Sequence, residues 1–87
     1  MAKQIKITEA QMTALVTAGV FEDDEMAELA SAISGNCLTV SDSTARMICD
    51  LSNDADELSR EFSDERGAWY RNDSRVLANL YSKALRV

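Results

Sequence analysis

Apolar positions recur every three or four residues along most of this chain, the spacing of helices with one buried face. Thr8-Glu9-Ala10-Gln11 opens the first such stretch as a capping box, with Thr8 as N-cap and Gln11 reaching back. The pattern predicts Met12, Leu15 and Val16 inward, with Gly19 ending the helix. Glu22, Asp23, Asp24 and Glu25 then suit the positive end of a second helix, which presents Met26, Leu29, Ala30 and Ile33 and stops at Gly35-Asn36. After a connector over 37–41, Ser41 or Asp42 can cap a third helix. Thr44, Ile48, Leu51, Ala55, Leu58, Phe62, Glu65 and Trp69 then follow in alternating steps of four and three, a heptad seam with one charged intruder. This seam predicts one continuous helix over about 43–66, with Gly67 as its end or kink. Asn72 or Asp73 would cap a last helix burying Val76, Leu77, Leu80, Tyr81, Ala84 and Leu85.

The expected fold is therefore all-α: a compact four-helix domain with one long third helix. Only Gln4–Ile7 and Cys37–Val40 alternate as short strands do. The absence of proline and the presence of only three glycines favour long helices. Eighty-seven residues predict a single domain over 1–87 with a thin, alanine-rich core, of the kind that a homodimer or another partner often completes. No apolar run approaches the ~20 residues of a membrane span. Two cysteines, Cys37 and Cys49, do not make a disulfide framework, and the expected setting is cytoplasmic.

Charge adds the first functional hint. The net charge is −6, unevenly spread. Residues 1–40 carry two basic and six acidic side chains, residues 41–65 two and eight, and residues 66–87 five and one. On a helix turning ~100° per residue, Asp50, Asp54, Glu57, Glu61 and Asp64 fall within roughly 80° of arc, as a ridge roughly 21 Å long beside the apolar seam. Arg46 and Arg60, four residues from acidic neighbours, neutralise only part of it, at ~0.2–0.5 kcal/mol per pair. A solvated face is the plain explanation of the ridge. Docking onto a basic surface, where carboxylates replace phosphates, is the functional one. Asp50, Ser52, Asp54, Asp56 and Glu61 also match the ligand spacing of a calcium-binding EF-hand loop, but Ala55 replaces its turn glycine and the seam requires a helix there.

Val40–Leu51 resembles the second helix of a helix-turn-helix, with Leu29–Ile33 as the first, which would imply DNA binding. The connector is longer than the usual tight turn. Arg46 stands alone against Asp42 and Asp50 on the helix that would face phosphates. In the basic tail, Trp69, Tyr70 and Arg71 are residue types that anchor protein interfaces; in the plain reading Trp69 is core. With no histidine, no zinc spacing and no phosphate-binding glycine loop, neither an enzyme nor a metal or other cofactor is expected.

The composite expectation is a small acidic protein-binding module. It would be a non-catalytic inhibitor that covers a basic, nucleic-acid-binding surface of a host protein, in the manner of phage anti-restriction or anti-CRISPR proteins. Its contact residues would be Asp50, Asp54, Glu57, Glu61, Asp64, Trp69, Tyr70 and Arg71. A DNA-binding regulator and an assembly subunit are the alternatives.

Overall fold

A computed structural model describes residues 3–86. It is 70% helical, and the helices share the fold with a small three-stranded sheet, so the purely all-α expectation needs correcting. The elements are β1 (Lys3–Lys6), α1 (Glu9–Thr17), α2 (Ala27–Ala32, entered through a 3₁₀ turn over Asp24–Met26), β2 (Ile33–Ser34), β3 (Cys37–Val40), α3 (Asp42–Glu61) and α4 (Glu65–Leu85).

Local chemistry sets most boundaries. The capping box at Thr8 forms: the Gln11 amide donates to the Thr8 hydroxyl at 3.2 Å, and the Thr8 amide to the Gln11 side chain at 3.0 Å. At the far end of α1, Gly19 takes φ +83°. The Val20 and Gly19 amides donate to the carbonyls of Leu15 and Val16, closing a Schellman motif whose flanking apolar pair, Leu15 and Val20, is fully buried. The buried face of α1 is Gln11, Ala14 and Leu15, and Val16 lies outside it. Ser41 caps α3, with Thr44 reciprocating.

Gly35-Asn36 does not simply stop α2. Ile33 and Ser34 have already become strand, and Gly35 and Asn36 form the hairpin turn to β3. Positive φ occurs only at the first central residue, Gly35, as in a type II′ turn. β3 is the central strand, antiparallel to both β1 and β2. The Ile7 amide extends the pairing by donating to Asn36 O. Ile5, Ile7 and Leu38 carry the sheet's inner face into a core with Leu15, Val20, Leu29, Ile48, Leu51, Leu77 and Leu80. Each such side chain contributes about 1.5–3 kcal/mol when fully buried.

The expected 43–66 helix is two helices. α3 ends at Glu61, Phe62 is extended, and Asp64 caps α4 by accepting from the Arg66 amide at 3.0 Å. Asn72 and Asp73 lie inside α4, not at its start, and Leu85 is exposed. The seam looked continuous because Phe62, Glu65 and Trp69 happen to keep the heptad phase across the break.

The α3–α4 pairing is the most extensive contact between elements. Its axis is a row of small residues. Ser52 Oγ donates to Ser74 O and Ser74 Oγ donates back to Ser52 O, each at 3.0 Å. One heptad toward the tip, Ser59 faces Gly67. A Cβ on Gly67 would strike the Phe62 carbonyl oxygen and lie 3.1 Å from that of Ser59. Ala45, Ser52, Ser59 and Gly67 are all buried, and their size lets the two backbones approach closely.

Gly67→Ala is therefore expected to destabilise despite alanine's helix propensity, worth ~1 kcal/mol over glycine. Overpacking against backbone costs about 1–3 kcal/mol and wins. A drop in melting temperature of about 5 °C or more checks this, and an unchanged or raised value contradicts the close approach.

Candidate functional site

Four of the five ridge carboxylates, Asp50, Asp54, Glu57 and Glu61, stand exposed on α3. They occupy roughly 60° of arc over roughly 16 Å. The fifth, Asp64, has left the ridge to cap α4, where it also binds the Arg66 guanidinium at 2.9 Å. The ridge also lies farther from the apolar face than the seam implied. Burial of Ala45, Ser52 and Ser59 turns the centre of the packed face toward α4, leaving the carboxylates roughly 150° from it at 100° per residue.

The ridge is left without internal cations. Among the described residues the ion pairs are Arg60–Asp56 at 3.0 Å and Arg66–Asp64. The first lies on the other flank of α3, and Arg46 makes no such contact with Asp50. Repulsion within the ridge, at Asp50–Asp54 and Glu57–Glu61, is thus not offset locally.

Trp69, Tyr70 and Arg71 are adjacent on α4 and diverge. Trp69 is 60% exposed beside Thr17, outside the core. Tyr70 is half-buried and stacks on Phe62 with centroids 5.7 Å apart. The Arg66 guanidinium lies 4.3 Å from the Phe62 ring centroid, so Arg66, Phe62 and Tyr70 fasten the tip of the hairpin. Arg71 is exposed and has no acidic partner among the described residues.

Sequence reasoning missed a cleft between α1, the 3₁₀ turn, α3 and α4. Ala14, Ala18, Met26, Leu51, Ala55 and Leu58 supply apolar wall, while Thr17, Tyr70, Asp54 and Asp73 supply the polar groups. The sequence pattern puts Asn72 or Asp73 at a helix start, where a carboxylate is solvated. In α4 Asp73 is half-buried, and burial raises its pKa above the ordinary 3.8. Its spacing from Tyr70, Leu77 and Leu80, inward positions of one helix, was the available signal.

Other readings meet plain geometry. The segment matched to a calcium loop is helix, with Ser52 turned to α4. No group of three or more potential metal ligands occurs among the described residues. The helix-turn-helix resemblance fails locally, because the β2–β3 hairpin occupies the place of the turn. Cys37 and Cys49 are free, half-buried thiols. No described helix is long and apolar enough to cross a membrane.

The two shifted aspartates act on stability with opposite signs. The Asp64 pKa is lowered, chiefly by the Arg66 side chain, so its contribution is present above 3.8 and is lost as pH falls through the lower folded value. The raised Asp73 pKa makes ionisation unfavourable in the fold, a cost present above its folded value and gone below 3.8. Thermal melts between pH 2 and 7 should show Asp64→Asn flattening the acid limb, and Asp73→Asn more stable than the parent at pH 7. The reverse ordering contradicts these environments.

Comparison with protein-family models, curated proteins and solved structures returns no match for the chain.

Proposed function

We propose that this chain is a small acidic protein-binding module that acts without catalysis, by covering a basic, nucleic-acid-binding surface of another protein. The observation that carries the reading is the α3 ridge: Asp50, Asp54, Glu57 and Glu61 are exposed, on one face of one helix, and without ion-pair partners among the described residues. Side chains at i, i+3 and i+4 start ~5–6 Å apart, which sets the carboxylates close to the phosphate spacing along a nucleic-acid strand. An unpaired ridge of one sign speeds encounter with a complementary surface and selects against acidic ones. An inhibitor of a host restriction or CRISPR-type nuclease is the concrete form of the proposal, since such enzymes expose long cationic channels.

Duplex DNA fits this ridge badly. Arg71 and Arg75 on α4 and Arg86 just after it are exposed cations that could meet phosphates, and affinity there rests on the number neutralised.

The test is capture of host proteins by the intact chain and by the Asp54→Asn/Glu57→Gln/Glu61→Gln variant. The ridge faces water, so the variant is expected to keep its melting temperature within a few degrees. It should lose nucleic-acid-binding proteins that the parent captures at about 50 mM salt, and the parent's own capture should weaken by about 300 mM as screening shortens. DNA should displace the captured protein. Retention of the same proteins by the variant at low salt, or a shift of free duplex DNA by the parent, removes the ridge from the mechanism.

A further inference from the structure

The cleft behind the ridge has a composition of its own. Its volume is about 240 Å³. That is below the roughly 300–1,000 Å³ of pockets that hold whole small ligands. Its walls are alanine, leucine and methionine, with Asp54 and Asp73 among the lining residues. Neither carboxylate has a cation or hydrogen-bond partner among the described side chains. Only the hydroxyls of Thr17 and Tyr70 can donate from its side chains, which suits an anion poorly. A second groove continues it past Met26, sharing Leu51 and Asp54 and adding Glu25 and Asp50.

We infer that this cleft receives one lysine or arginine side chain of a basic partner protein. The methylene stem lies against Ala14, Leu51 and Leu58, and the cationic head meets Asp54 and Asp73. Long cationic side chains bury apolar stems while keeping their charge at a polar rim, and apolar wall and acidic groups together meet both needs. Charge complementarity selects this occupant over a neutral one. Asp73 is already partly desolvated, which ionisation opposes, and an entering cation reverses that penalty. Asp54 belongs to both ridge and cleft, so a cation seated here would set the position of the partner's surface along α3. The inference rests on the docking function proposed above and adds the contact that would give it register.

The probe is a blocked alanine pentapeptide with one central lysine, followed by methyl and amide NMR of the full chain. A norleucine peptide, with the same stem and no charge, is the control. The lysine peptide is expected to bind in the millimolar range and to move the resonances of Ala14, Leu51, Leu58 and Tyr70. The norleucine peptide should not. Asp73→Asn and, separately, Asp54→Asn should each weaken binding by about fivefold, the upper range for one partly screened pair. Glu57→Gln/Glu61→Gln, outside the cleft, should leave it unchanged while reducing capture of the basic protein.

Equal binding of the two peptides, or no effect of either aspartate substitution, overturns the inference. So does free spermidine binding far more tightly than the lysine peptide, which would make the cleft a polyamine site. If the cleft resonances stay still while protein capture still depends on Glu57 and Glu61, the cleft assignment falls and the docking function stands. If the lysine peptide binds as described while capture ignores Glu57 and Glu61, the cleft stands and the ridge does not.

Discussion

Two serines facing each other across a helical hairpin fix the geometry on which everything else depends. Each hydroxyl of Ser52 and Ser74 donates to the other residue's carbonyl, a contact that only small side chains allow. Serine inside a helix usually bonds back to its own preceding turn and gains nothing in tertiary stability. Here the same group reaches the neighbouring helix and sets both distance and register. Gly67 against Ser59 repeats the constraint near the tip, where Arg66, Phe62 and Tyr70 lock the connection. At the base, Ile48 and Leu51 on α3 join Leu77, Leu80 and Ala84 on α4 in the core.

Close packing along that line has a consequence for charge. A helix has one packed face, and where it is centred decides where the rest points. Small buried residues draw α3 toward α4 through the side bearing Ala45, Ser52 and Ser59, so Asp50, Asp54, Glu57 and Glu61 are left facing water. Within the hairpin α4 is the more basic helix and α3 the more acidic one, yet packing keeps most of these charges from meeting. The unneutralised ridge costs little in water of high dielectric, and it leaves the molecule with a strongly one-signed face.

Legibility in the sequence followed the range of the interactions. The capping box at Thr8 and Gln11 and the glycine stop at Gly19 are local and legible, while Ser41 and Asp42 are equal candidates to cap α3 until the Thr44 contact chooses Ser41. Cys37–Val40 alternated as a strand should, but a four-residue strand has no meaning without partners, and its partners lie at Lys3–Lys6 and Ile33–Ser34. Gly35 can stop a helix or turn a hairpin, and the local sequence does not choose between the two. The break after Glu61 was hidden by apolar residues that stayed in phase. Its positive signal was Asp64 just before Glu65, an N-cap followed by an acidic first turn. The small-residue row went unread because serine, alanine and glycine do not register as hydrophobic. The sevenfold spacing of Ala45, Ser52 and Ser59, matched by Gly67 and Ser74, was nonetheless there. The ridge was visible in outline, the cleft was not. Its walls come from four elements, and Asp73 becomes part of it only once α4 extends back to Glu65.

The most direct test of this account is a double-mutant cycle on Ser52→Ala and Ser74→Ala, read by chemical denaturation. Each alanine removes one hydroxyl donor and leaves both carbonyls in place, so each single change is predicted to destabilise by about 0.5–1.5 kcal/mol and the pair by roughly the sum. Single changes that leave stability unaltered would show that neither hydroxyl bonds across the hairpin, and with that would go the register that turns the acidic ridge outward.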